Sequence, residues 1–390
     1  MLLFRESRND KYGQQPALKM ITLKIPARST LLFGLALGLI HWVGWTQAGD
    51  VSPVPFQERC AALARDAERR GTMAVAGRDG WLFLAAELRH LGAGPFWGDR
   101  AASASRASKP AAADPLPAIL DFNAQLKKIG VTLLMVPVPA KAIIYPDFVP
   151  ETTPGRPDFV PGSPVKAGGE PPRLDFDIQT FYGLLRTNGV QIIDLTPLFL
   201  ANRFNPDGAL YCKQDSHWSG NACVLAAGRI VEEIRKLLPG LSNHPPAALT
   251  SEWRTIEITG DLWRALGDGK PAREQVRVRQ ISRQAGGSLE PDPRSPVILL
   301  GDSHNLIFHA GDDMQTRGAG LADQLALELG QSVDLVAVRG SGATPARVNL
   351  LRRAQKDPAY WKGKRLVIWC FATREFTESD GWRKVPIMPP

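Results

Sequence analysis

The sequence predicts an α/β fold: a mostly parallel sheet covered by helices on both faces, with a small β-rich insertion. Two observations carry that expectation. Apolar runs such as Val131–Val138, Val297–Leu300, Val333–Val338 and Leu366–Phe371 alternate with helix-period segments, the rhythm of βα units. The runs are almost continuously apolar, as strands buried on both faces must be, whereas Val276–Ile281 alternates and reads as part of an antiparallel insertion.

Residues 1–48 read as an address, and 49–390 as the folded domain. Leu31–Trp45 is a nearly unbroken apolar segment behind Lys24 and Arg28 and ahead of Thr46-Gln47-Ala48. This is the layout of an export signal. Its 15 residues fall short of the roughly 20 that a full membrane span prefers. Both a cleaved signal and an uncleaved membrane anchor through residues 31–45 stay open, and both imply export. Of the net charge of +8, six basic residues against Glu6 and Asp10 place +4 in the address. The remainder is a mild excess that suits an anionic polymer. No basic, aromatic-interleaved stretch of a nucleic-acid reader occurs.

Along the domain, Phe56–Arg70 is expected to be an amphipathic helix, followed by a turn at Gly77–Gly80 entering a strand at Trp81–Leu84. Ala101–Ala113, rich in Ala and Ser, is expected to be mobile. A helix over Pro115–Lys128 leads into strand Val131–Val138, and residues 146–173, dense in Pro and Gly, read as a long surface loop. Helix Phe176–Thr187 then feeds strand Val190–Asp194. Ser219 is placed to cap a helix running to about Leu238. Trp253–Ile258 and Val276–Ile281 form the β-rich insertion. After strand Val297–Leu300 come helix Leu321–Leu329, strand Val333–Val338, helix Ala346–Ala354 and strand Leu366–Phe371.

The chemistry sits in two motifs about ninety residues apart, Asp215-Ser216-His217-Trp218 and Gly301-Asp302-Ser303-His304. A serine hydroxyl is a poor nucleophile until an imidazole takes its proton, and a carboxylate orients that imidazole. Ser303, His217 and Asp215 are the expected nucleophile, base and orienting acid. His304 is expected to point elsewhere, while His41, His90 and His244 fall in the address or in loops. Ser303, Gly340 and Arg374 all follow strand ends, where ligands bind in open α/β sheets. Gly340 and Gly342 are candidate oxyanion donors through their backbone N–H groups. Tyr211, Lys213, Trp218 and Arg374 are candidate lining for an acceptor groove, since sugars stack on aromatic faces and carboxylates pair with Arg. Neither a metal nor an organic cofactor is expected. Cys60, Cys212, Cys223 and Cys370 allow either two disulfides, one of them bracing the base between Cys212 and Cys223, or buried free thiols.

The set Gly80-Trp81-Leu82-Phe83, Tyr211-x-Lys213-x-Asp215-x-His217-Trp218, Gly301-Asp302-Ser303, Gly340-x-Gly342-Ala343 and Val367-Ile368-Trp369 resembles the AlgJ/AlgX alginate O-acetyltransferase family over about residues 70–375. The address and length are more similar to its AlgJ branch. The resemblance implies an SGNH-hydrolase-like domain whose acid and histidine precede the serine. It also implies an acetyl-serine intermediate at Ser303, an exopolysaccharide acceptor and a membrane-bound O-acyltransferase as acetyl donor. The chain departs from the family pattern at His304, where an aromatic commonly follows the serine, and at Cys370, where an acidic residue is common. Two other functions share these residues: a carbohydrate O-acetyl esterase with water as acceptor, and a non-catalytic polysaccharide-binding subunit.

Overall fold

The apolar runs become strands where expected. The computed structural model describes residues 53–151, 173–241, 248–267 and 269–388. The chain divides into the units Met1–Gly49 and Asp50–Pro390; the first, with the expected export segment 31–45, lies outside the described residues, as does most of the Pro/Gly-rich stretch. Among the described residues, no helix is long and apolar enough to cross a membrane.

In chain order the strands are β1 (Ala74–Ala76), β2 (Leu82–Leu84), β3 (Thr132–Val138), β4 (Gln191–Ile192), β5 (Leu249–Ile258), β6 (Glu274–Arg283), β7 (Val297–Gly301), β8 (Asp334–Ala337) and β9 (Leu366–Ala372). Five of them form one parallel sheet in the order β4-β3-β9-β7-β8. Every residue of β7 and β9 is buried, which requires cover on both faces. That is why their sequences run apolar without alternation. The helices Pro115–Lys128 and Phe176–Thr187 match their expected bounds, and Pro53–Arg70, Gly220–Leu237 and Thr344–Lys356 start or stop within a few residues of theirs. Ser219 caps its helix by accepting from Ala222 N–H.

The β-rich insertion is an antiparallel pair, β5 with β6, ten residues each. It is longer than the sequence indicates because β5 is mostly exposed, leaving no buried periodicity to mark its start. Residues 101–113 are not a free tether. Arg106 N–H donates to Thr377 O, Trp382 N–H to Ala112 O, and Ala101, Ala104 and Ala113 are buried. Their small side chains give close packing rather than mobility. All four cysteines are free and buried. Cys212 and Cys223 therefore do not brace the base by a bridge. His90 lies in a helix, not a loop, and is buried.

Candidate active site

The carboxyl ends of β3, β7, β8 and β9 all open on the same side of the sheet, as parallel strands must, and each supplies part of one site. After β7 the chain turns sharply through Gly301-Asp302 into a short 3-10 turn, Ser303–Asn305. A Cβ on Gly301 would fall 1.6 Å from the Cys370 carbonyl oxygen, so only glycine lets β7 leave the sheet this close to β9. The buried Asp302 carboxylate caps the turn by accepting from His304 N–H (2.9 Å), and its other oxygen accepts from Ala372 N–H (2.8 Å) at the end of β9. Burial alone would raise the Asp302 pKa. His304, Arg374 and the Ala372 N–H outweigh it and bring the group down to about 2. Ser303 opens the turn, so its N–H has no partner within it.

The base sits on a tight loop closed by a bridge between Tyr211 and Trp218. These two side chains point into the core, while the loop between them carries Asp215 and His217 toward the serine. His217 Nε2 lies 2.7 Å from Ser303 Oγ, and His217 Nδ1 lies 2.6 Å from Asp215 Oδ1. Asp215 Oδ1 also accepts His217 N–H, and Asp215 Oδ2 accepts from Asp261 N–H and Gln315 Nε2. Burial opposes charge on both members of this pair. The Asp215 carboxylate is nevertheless held below its usual range by His217 and the N–H donors, and His217 is raised by Asp215 despite burial. The hydrogen bonds run without a gap from acid to base to hydroxyl.

Two supports of the loop escape sequence reasoning. Lys141, 1 % exposed, donates from Nζ to Leu82 O (2.6 Å), Asp215 O (2.7 Å) and Lys213 O (3.3 Å), which uses all three ammonium donors. It lies just past the end of β3, the same strand-end position that singles out Ser303, and that was its available signal. Asp261 receives Ser216 N–H and Ser216 Oγ–H. Gly260 allows that approach, because a Cβ there would sit 2.0 Å from Gln214 O.

The remaining expected site residues divide. Tyr211 is buried with its hydroxyl donating to Pro139 O, and Trp218 is fully buried with Nε1 donating to His304 O. Both belong to the core beneath the base, which corrects the expectation that they line an acceptor groove. Lys213 is half-buried, its ammonium over the Trp81 ring. Arg374 is half-buried among the carboxylates of Asp302, Glu375, Glu87 and Asp261, and its Nη1 is enclosed without a hydrogen-bond partner. Gly342 packs against Asp302, where a Cβ would come within 3.0 Å of Asp302 N, whereas Gly340 is exposed with open space around it. Between them Ser341 Oγ donates to Glu375, whose carboxyl is pushed up to about 7 by burial and by Asp302.

His304 does not point away. Its buried ring stands 4.8 Å from that of His217 and edge-on to Trp218. Desolvation, with His217 and Arg374 nearby, brings it down to about 4. Neutral at ordinary pH, it packs as an aromatic ring between His217 and Trp218. Asp215, His217 and Asp261 offer ligand atoms within 4.8 Å of one another, but both imidazole nitrogens are committed to Asp215 and Ser303, and Asp261 is taken up by Ser216 and Leu262. A cation would have to displace these hydrogen bonds, so the residues fit the Asp215–His217–Ser303 chain rather than a metal.

A parallel sheet with a serine just past a central strand, and an Asp-x-His on a neighbouring loop, define a serine acyl-transfer protein of the SGNH-hydrolase-like class. Residues 74–373 match the family model described as the SGNH hydrolase-like domain of the acetyltransferase AlgX. The chain belongs to this family of acetyltransferases. It is 26% identical over 324 residues to the probable alginate O-acetylase AlgJ of Pseudomonas aeruginosa, covering 77% of this chain and 69% of that protein. The O-acetyltransferase domain of Pseudomonas putida AlgJ has the same fold, with a TM-score of 0.54 at 21% identity over 78% of this chain and 92% of that one. Pseudomonas aeruginosa AlgX follows with a TM-score of 0.52 at 20% identity, over 77% and 62% respectively.

Proposed function

We propose that the protein transfers acetyl groups, through an acetyl-Ser303 intermediate, onto hydroxyls of an exported polysaccharide, alginate or a similar exopolysaccharide. The observation that carries this reading is the continuous chain from Asp215 Oδ1 through His217 to Ser303 Oγ, at 2.6 and 2.7 Å. His217 Nε2 takes the Ser303 proton as Oγ attacks the donor's acetyl carbon. The imidazolium then gives that proton to the departing group, leaving an ester on Ser303. In the second half a sugar hydroxyl gives its proton to His217 and attacks the ester. Ser303 leaves as alkoxide and recovers the proton. The Ser303 N–H, with an N–H from the Gly340–Gly342 segment, serves the oxyanion of each tetrahedral species.

The reading includes a periplasmic location, reached by export or by tethering through residues 31–45, and supported by the basic, apolar and small-residue layout of the address. The acetyl group then has to be handed across the membrane, and a membrane-bound O-acyltransferase is the donor partner that fits. The partly exposed Lys213 supports an acceptor bearing carboxylates.

The test incubates the full-length chain with an activated acetyl ester and uronate or glucan oligosaccharides, and reads products by mass spectrometry. The wild type is expected to add acetyl to an oligosaccharide, and Ser303→Ala to add none while folding normally. Ester hydrolysis without transfer would reassign the site to an esterase. Equal inertness of both proteins would favour a binding subunit.

A further inference from the structure

Three of the four non-glycine residues with positive φ among the described residues, Phe308, Asp312 and Gln315 (φ 59°, 53° and 75°), fall in the segment that leaves the nucleophile turn. Gln315, with φ 75° and ψ −69°, occupies the rare γ-turn region, unfavourable for any residue carrying a Cβ. Glycine would make the same turn without strain.

The side chain gives the reason for a glutamine. Its Oε1 accepts from Thr259 N–H (3.2 Å) and its Nε2 donates to Thr259 O (3.2 Å), the pair of bonds one strand makes to another. Thr259 N–H needs an acceptor, which fixes the amide orientation and aims Nε2 at Asp215 Oδ2, 3.3 Å away. The backbone held at Thr259 continues through Gly260 to Asp261, whose N–H donates to the same Asp215 oxygen. The strained turn thus ties the nucleophile's segment to the acid that orients the base.

We propose that Gln315 is a positioning residue of this site: it fixes the Asp215 carboxylate so that Oδ1 faces His217 Nδ1, and the strained turn is retained because it delivers that amide. The inference rests on the reading of Asp215, His217 and Ser303 as the reacting triad. The ionisable groups facing the Asp215–His217 pair are Asp261 from the segment after β5, Arg374 from the end of β9, His304 from the nucleophile turn, Lys141 from the end of β3 and Cys212 from the base's own loop. Gln315 adds no charge, so replacing it with Met removes the amide and leaves the charge facing the pair unchanged.

The experiment compares the wild-type chain, Gln315→Gly, Gln315→Met and Ser303→Ala with an activated acetyl ester, recording kcat, KM and melting temperature. Gln315→Gly is expected to melt at or above the wild-type temperature while kcat falls about 10-fold at unchanged KM. In Gln315→Met, which keeps the length of the side chain but not its hydrogen bonds, kcat is expected to fall by a similar factor at unchanged KM. Unchanged kcat in Gln315→Gly, or a kcat loss that only tracks lost stability, would overturn the proposal. Should Gln315→Gly fail to fold, an unchanged kcat in Gln315→Met would overturn it equally. Full turnover by Ser303→Ala would remove the triad reading beneath it, an outcome separable from failure of the Gln315 variants alone.

Discussion

Asp215 and His217 are both nearly enclosed, and burial disfavours charge on either, yet each is pushed toward its charged form by the other. His217 acts as a base only when neutral, and Asp215 raises its pKa above the ordinary 6.5. Activity should therefore rise with pH along a limb lying above 6.5. Asp215→Asn removes the charge that raises His217, so the limb should move to lower pH. The same change deprives the imidazole of its orienting acceptor, and kcat should fall by about 10²- to 10⁴-fold. A pH profile of kcat/KM for the two proteins checks both, and a limb that stays in place would mean that Asp215 does not govern the base. The members of this hydrogen-bonded chain were legible in the sequence because an acid two residues from a histidine, and a serine past a strand, are local patterns. Lys141 and Gln315 were not. Their partners are 74 and 100 residues away, and what they hold is a carbonyl or a carboxylate whose position only the fold defines.

The strand ends explain why so many functional groups meet. β7, β9 and β3 lie side by side and parallel, so Ser303, Arg374 and Lys141 emerge together although up to 233 residues separate them. Continuous apolar runs made these strands visible, and the rule that ligands lie past their carboxyl ends singled out the side on which Asp215, His217 and Ser303 meet. The groove assignment failed at Tyr211 and Trp218 for a reason of register. The bridge between them turns both rings inward, and an aromatic residue next to a catalytic motif reads alike whether it faces a sugar or the core. At Gly301 there is no room for a side chain against the Cys370 carbonyl of β9. A Cβ there would also lie 2.5 Å from Asn305 Nδ2, which donates to Cys370 O. Gly301→Ala should part the two strands, cost about 3 kcal/mol or more in urea unfolding and displace Ser303 from His217. Near-native stability in this variant would show that the strand ends have more freedom than the packing indicates.

At the scale of the whole molecule, the segment after residue 373 lies outside the stretch that matches the family model, yet it packs on the sheet end that carries Arg374. Trp382, 3 % exposed, stacks on Phe376 and packs against Trp369 and Phe371 of β9. Its indole N–H donates to Glu375 O and its backbone N–H to Ala112 O, so one residue joins the strand end, the loop behind it and the Ala-rich stretch 101–113. Farther on, Ile387 is buried and its N–H donates to Gln125 in the helix Pro115–Lys128. Glu375 in turn holds Ser341 in the candidate oxyanion segment. A tail tied in at both its aromatic anchor and its end is part of the core, and its loss should be felt as a core deletion. Trp382→Ala should cost about 3–5 kcal/mol, a large part of the roughly 5–15 kcal/mol that holds a typical domain together. Urea unfolding followed by tryptophan fluorescence and circular dichroism measures this directly, and a single cooperative transition shifted to a lower midpoint is expected. A separate early transition, with the sheet unfolding at the wild-type midpoint, would instead mean that the tail folds onto the sheet without supporting it.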